Sequence, residues 1–149
     1  MTLPWILATL HLLGMAMAVG SAYARARALR RPLDSAGLAR VFAADSWWGI
    51  SFVVLVATGA WRAFGGIEKG TGYYVTQPLF HAKMGLLFVV LLLELWPMIT
   101  LIRWRIATGR GEMIDKSAAP RFAIISDVQT LLVLVMVALA AGLARGLRP

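Results

Sequence analysis

Two histidines are the residues of this chain best suited to hold a cofactor. His11 lies six residues after Trp5, and His81 lies seven residues after Tyr74. If both aromatic side chains mark the same membrane interface, the two imidazoles lie at comparable depth in two different helices. Neutral imidazole is a good ligand for iron, copper or zinc, and two facing imidazoles are what a six-coordinate haem b requires. The pattern predicts His11 and His81 as metal ligands, with haem b as the cofactor and copper as the alternative.

Small residues next to these histidines would leave room for a flat ring. Gly14 lies three residues after His11, and Gly85 lies four residues after His81, so each glycine is about one turn deeper on the histidine face. Lys83 lies near the predicted outer surface, where its ammonium group reaches water or would meet a haem propionate. Gly14, Gly85 and Lys83 therefore join the two histidines in the predicted cofactor site.

Other interpretations of the two histidines stay open. The site could hold a different metal or a quinone, and Met15 and Met84 offer thioether ligands close to His11 and His81. A transmembrane histidine also often does no more than form a hydrogen bond to a neighbouring helix, where glycine and alanine are common packing residues.

Three carboxylates form a second candidate site. Asp45, Glu94 and Asp127 each lie about five to nine residues from the same end of their predicted helices. An ionised carboxylate at the bilayer centre costs about 2.5–3.5 kcal/mol, so each side chain needs a partner. The expected counter-charges are Arg40, Arg103 and Arg121. Such a cluster serves either a proton path or a cation site, or it only joins helices.

Four apolar segments must position these residues. They span about residues 3–23, 40–61, 78–102 and 121–144, in a chain of 149 residues that is 60% hydrophobic. Each is long enough to cross a hydrocarbon core of about 30 Å. No basic residue precedes the first segment, which favours a retained helix over a signal peptide. The whole chain, 1–149, is predicted to be a single transmembrane domain.

The charges predict the topology. Residues 24–40 and 103–121 hold five Lys or Arg each, against five at the other side, counting Arg62, Lys69, Lys83, Arg145 and Arg148. Ten against five places the two basic loops in the cytoplasm and both termini outside. Because short loops join antiparallel neighbours, the predicted fold is an all-α, up-down four-helix bundle in a membrane.

Several short motifs resemble a known family. They include Ala44-Asp45, Thr58-Gly59, Glu68-Lys69-Gly70, Tyr73-Tyr74, Gln77-Pro78, Phe80-His81-x-Lys83-Met84, Pro97 and Arg103-Trp104-Arg105. With these motifs the chain resembles the bacterial membrane family called domain of unknown function twenty-two fourteen. It is more distantly similar to CopD copper-resistance proteins and HemJ-type protoporphyrinogen oxidases. The distant similarity implies haem b or copper near His11 and His81. The Lys-Pro motif of the HemJ type is replaced here by Arg148-Pro149.

The predicted function is a haem b-binding protein of the bacterial inner membrane, with a role in electron transfer or porphyrin-linked redox chemistry. The alternatives are a non-catalytic subunit of a respiratory or photosynthetic complex, and an ion- or proton-handling protein that uses the three carboxylates. The expected partners are the lipid bilayer and either other subunits or further copies of the chain, but no nucleic acid. The chain lacks nucleophile-elbow, phosphate-loop, HExxH and CxxC motifs.

Overall fold

The computed structural model describes residues 2–66 and 71–146, and this part of the chain is helical. Its helices are α1 (Thr2–Leu29), α2 (Ser35–Phe64), the short α3 (Thr71–Val75), α4 (Pro78–Gly109) and α5 (Ala119–Ala144). All except α3 are long and apolar enough to cross a membrane. The predicted loop residues Glu68, Lys69 and Gly70, and the terminal Arg148, lie outside the described residues.

The first helix is longer than the first apolar segment. It continues through residues 24–29, which the sequence analysis assigned to a basic loop, and it ends at Leu29. Alanine and arginine are strong helix formers, so the Ala-Arg repeat keeps the helix intact. Pro32 follows the end of α1 and restricts the backbone before it. Arg25 therefore lies inside the bundle, where it is completely buried.

A tight connection turns the chain from α1 into α2. The Asp34 side chain caps α2 by accepting a hydrogen bond of 2.7 Å from the backbone N–H of Gly37. A Cβ at Gly37 would lie only 2.1 Å from the carbonyl oxygen of Pro32, so a larger residue would not fit. This turn fixes α1 and α2 as antiparallel neighbours.

The four long helices form the predicted up-down bundle, but the ring of helices is not closed. Helix α1 packs against α2 and α5, and α4 packs against α5, whereas α2 and α4 do not pack closely within the described residues. Side chains bridge α2 and α4 near both ends. Arg105 pairs with Asp45 near the basic end, and the rings of Phe64 and Phe80 meet edge to face with centroids 6.5 Å apart at the other. A space between α2 and α4 remains between these bridges.

Candidate functional site

The space between α2 and α4 contains two adjoining cavities of about 150 Å³ and 450 Å³. Side chains of all four long helices line both cavities, and most of the lining is apolar. The residues that line both cavities are His11, Met15, Gly59, Ala63, Phe80, Lys83 and Met84. An apolar cavity with a few convergent polar groups is the usual form of a small-molecule site.

His11 is the buried imidazole of these cavities. Its Nδ1 atom lies 2.8 Å from the Oγ1 atom of Thr58 on α2. The Thr58 hydroxyl donates its proton to the Val54 carbonyl at 2.6 Å, so its oxygen accepts from His11. A neutral His11 imidazole therefore carries its hydrogen on Nδ1 and its lone pair on Nε2. Metal-binding histidines are oriented in this way, with the second ring nitrogen held by an oxygen acceptor.

Two glycines have different roles around His11. A Cβ at Gly59 would lie 3.2 Å from the His11 Cε1 atom, so Gly59 provides the space for the imidazole. A Cβ at Gly14 would instead lie 3.2 Å from the Val54 side chain and 3.3 Å from that of Leu55. Gly14 thus allows close packing of α1 on α2, and it does not line either cavity. The sequence pattern predicts Gly14 as part of the His11 site but does not identify Gly59 or Thr58 as neighbours of His11.

The structure does not bring His81 to His11. The His81 ring is exposed, and its Nε2 atom donates a hydrogen bond of 2.7 Å to the Val75 carbonyl of α3. His81 lines neither cavity, and Gly85, on the same side of α4, is also exposed, since a Cβ added to it would have nothing within 4 Å. Equal depth in the membrane says nothing about which side of a helix faces its neighbours. The described residues therefore do not assemble a pair of facing imidazoles.

Lys83 does reach the predicted site. It lies two residues after His81, which places it about 200° further round α4, and it lines both cavities. Lys83 forms no hydrogen bond or ion pair with any residue that the structure describes. Arg62 lines the larger cavity together with Tyr73 and Tyr74. Lys83 thus adds a positive charge to the lining of otherwise apolar cavities.

A second polar group of residues surrounds Arg25 in the half of the bundle nearer the basic loops. The guanidinium of Arg25 binds Glu94 of α4 through two hydrogen bonds, Nη1 to Oε1 at 2.8 Å and Nη2 to Oε2 at 2.7 Å. Nη1 also donates to Oδ1 of Asp45 on α2 at 2.8 Å. On α5, Ser126 accepts from Nε at 3.0 Å and Gln129 accepts from Nη2 at 2.8 Å. One side chain therefore joins all four membrane helices.

Further contacts extend the group of polar residues around Arg25. Gln129 donates to Oε2 of Glu94 at 2.8 Å, and Arg105 donates to Oδ2 of Asp45 at 2.8 Å. The indole of Trp48 lies against the Arg25 guanidinium, with its centroid 5.5 Å from Cζ. Two cations and two carboxylates balance, which is the arrangement that a low-dielectric interior tolerates.

The third predicted carboxylate is elsewhere. Asp127 pairs with Arg30 near the basic end of the bundle, where both side chains are 43% exposed. The expected counter-charges were Arg40, Arg103 and Arg121. Their side chains form no ion pair with any residue that the structure describes. Arg25 was not among the predicted counter-charges, because the Ala-Arg repeat was interpreted as a loop. The helix-forming tendency of that repeat was the available signal.

No group of three or more His, Cys, Asp or Glu side chains able to hold a metal occurs in residues 2–66 and 71–146. A zinc site usually takes at least three protein ligands of this kind. A porphyrin supplies four nitrogen ligands itself, so haem iron needs only one or two from the protein. Among the described residues, the single imidazole of His11 fits the latter case better.

Comparisons with known proteins agree with the membrane architecture. A family model described as "Predicted membrane protein (DUF2214)" matches residues 3–148. No curated protein and no solved structure matches the chain. The distant similarity to CopD and HemJ-type proteins therefore stays a prediction.

Proposed function

We propose that this chain, which belongs to the family of predicted membrane proteins DUF2214, holds a haem b-type cofactor between α2 and α4, with His11 as its protein ligand. The observation that carries the proposal is the presence of His11 and Lys83 on the same apolar cavities. Haem b has an apolar ring, an iron atom that binds imidazole, and two propionate carboxylates. The apolar lining would match the ring, the imidazole of His11 would match the iron, and the ammonium group of Lys83 would match a propionate.

The hydrogen bond to Thr58 favours the tautomer of neutral His11 that ligation requires. Because Thr58 accepts the Nδ1 hydrogen, the lone pair is on Nε2. Thr58 also fixes the ring orientation, which raises the affinity of a histidine for a metal. Met84 of α4 lines both cavities and replaces His81 as the candidate second ligand.

Lys83 supplies the charge complement. An ammonium group beside an apolar cavity is costly without an anionic partner, and no described residue supplies one. A propionate would pair with Lys83, whereas a neutral quinone would leave the cation uncompensated. The charge of this cavity therefore favours haem over a quinone. Bound haem would supply reversible one-electron chemistry, consistent with a redox role in the membrane.

Haem loading of the purified protein tests this proposal. We expect a Soret band after expression with haem supplementation, or after titration of the purified protein with hemin. His11→Ala should lower the haem content at least tenfold, whereas His81→Ala should keep it within about twofold. Loss of a residue that only orients a metal ligand already costs about 10–100-fold in metal affinity, so loss of the ligand itself should cost at least as much. No Soret band in wild-type protein, or equal loss in both variants, would falsify the proposal.

Copper is the second candidate, and one observation supports it. Met15 and Met84 line the same two cavities as His11, and thioether and imidazole ligands suit Cu(I). Copper bound in preference to hemin, and lost in Met84→Leu, would favour this function over haem. The subunit and oligomer interpretations, and the bacterial inner membrane as location, stay predictions.

A further inference from the structure

A groove at the basic end of the bundle lies between α1 and α2. It has a volume of about 540 Å³ and is separate from the cofactor cavities. Three arginines line it, Arg27, Arg31 and Arg40, together with the exposed aromatic side chains of Tyr23 and Trp47. Four alanines complete the lining and form a smooth apolar floor.

The arginine side chains of this groove have no acidic partner among the residues that the structure describes. Residues 24–40 contain five arginines. Arg25 is buried and forms ion pairs with Asp45 and Glu94. Arg30 forms an ion pair with Asp127. The other three line the groove, and none of their side chains forms an ion pair or hydrogen bond with any residue that the structure describes. An excess of three positive charges therefore surrounds one concave surface.

The neighbouring residues indicate what such a surface would bind. Tyr23 and Trp47 are each 54% exposed, and amphipathic aromatic rings of this kind prefer the level of the lipid headgroups. Guanidinium groups bind phosphate oxygens through paired hydrogen bonds. Apolar residues directly beside the charges would accept the first carbons of an acyl chain.

We propose that this groove binds the phosphate headgroup of an anionic phospholipid. Arg27 and Arg31 approach it from α1 and the turn that follows, and Arg40 approaches it from α2. Basic pockets between transmembrane helices bind anionic headgroups for the same electrostatic reason. This goes beyond a topology signal, since a topology signal needs positive charge on that side of the membrane but no concave site.

Native mass spectrometry of delipidated protein in detergent tests the proposal. Dioleoyl phosphatidylglycerol should stay bound at collision energies that remove dioleoyl phosphatidylcholine. Each basic residue near an anionic surface contributes enough that Arg27→Gln with Arg40→Gln should weaken phosphatidylglycerol binding roughly thirtyfold. Circular dichroism and gel filtration establish that the double variant is folded, and Arg40→Gln alone should give an intermediate loss.

A matched control removes two arginines from the basic ends of α4 and α5. Arg103→Gln with Arg121→Gln takes away the same charge at exposed positions outside the groove. This variant should bind phosphatidylglycerol within about twofold of wild type. Equal losses in the two double variants would mean a diffuse electrostatic attraction and would overturn the proposal, as would equal retention of the two lipids by wild-type protein.

A further arm separates a lipid from a free anion. Inorganic phosphate at millimolar concentration should not displace phosphatidylglycerol, because it lacks the acyl chains that the alanine floor and the aromatic rings would contact. If phosphate displaces phosphatidylglycerol from wild-type protein but not from the double variant Arg27→Gln with Arg40→Gln, the groove is a phosphate site. This result would overturn the assignment to a lipid.

Discussion

Arg25 of α1 and Glu94 of α4 form a two-pronged ion pair inside the bundle, with donor–acceptor distances of 2.8 and 2.7 Å. The Arg25 side chain has no exposed surface, and the Glu94 side chain is 14% exposed. Helix α4 packs mainly against α5, so this pair ties it directly to α1 across the bundle. The same guanidinium also holds α2 and α5, and it therefore fixes the positions of the helices that border the two cavities lined by His11.

Replacing Arg25 should destabilise the protein strongly. Arg25 makes five hydrogen bonds, and interhelical hydrogen bonds in membranes average about 0.6 kcal/mol each, which suggests about 3 kcal/mol for Arg25→Met. The loss of one partner from a buried ion pair gives a similar value of about 3–5 kcal/mol. Unfolding in SDS, followed by circular dichroism, measures the change. Arg27→Met, on the exposed side of the same helix, should change the stability by no more than about 0.5 kcal/mol. Similar costs for the two variants would contradict a central role for Arg25.

Neutralising Glu94 should restore part of the stability lost without Arg25. Much of the cost of Arg25→Met comes from leaving the Glu94 carboxylate buried without its cation. Adding Glu94→Gln removes that charge and keeps a partner for Gln129. We expect the double variant to be at least about 1 kcal/mol more stable than the sum of the single variants predicts, because residues in one network couple by about 0.5–3 kcal/mol. Asp127→Asn in the Arg25→Met background gives the control. Additive effects of Arg25→Met and Glu94→Gln would show that the two residues act independently.

The Thr58 hydroxyl should determine the tautomer of His11. Thr58→Val keeps the shape of the side chain but removes the acceptor of the Nδ1 hydrogen, whereas Thr58→Ser keeps the acceptor. Nitrogen NMR of labelled histidine should show the Nδ1-protonated form in wild type and Thr58→Ser, and a mixture of tautomers in Thr58→Val. Haem affinity should fall about 10–100-fold in Thr58→Val alone. If Thr58→Val and Thr58→Ser behave alike in both measurements, the hydroxyl does not orient the ring.

An alanine at position 59 should disturb the imidazole. Its Cβ would lie 3.2 Å from the His11 Cε1 atom, closer than side chains usually approach, so the ring must move by a few tenths of an ångström. Gly49→Ala is the matched control, because it lies on the same helix and a Cβ there has nothing within 4 Å. Replacing glycine by alanine inside a helix normally stabilises it by about 0.8–1.0 kcal/mol. We expect this gain for Gly49→Ala, and for Gly59→Ala a smaller gain together with weaker haem binding. An equal gain with unchanged haem binding would mean that the space beside His11 is larger than the structure indicates.

The amino-acid sequence determined the number and order of the membrane helices. Apolar segments of sufficient length, separated by short polar stretches, can satisfy their backbone groups in a bilayer only as helices, and short connections make neighbours antiparallel. The sequence also identified His11 and Lys83 as residues of one candidate site, and Asp45 and Glu94 as groups that need partners inside the membrane.

Only the tertiary structure decided which side of each helix faces the others. A helix that is apolar on every side has no polar face to reveal its rotation, so depth along the chain did not distinguish His11, which lines the cavities, from the exposed His81. The rotation of α5 about its own axis likewise placed Asp127 outside the network of Asp45 and Glu94. Arg25 joined that network because α1 continues to Leu29, and a long side chain on its last turns reaches the other three helices.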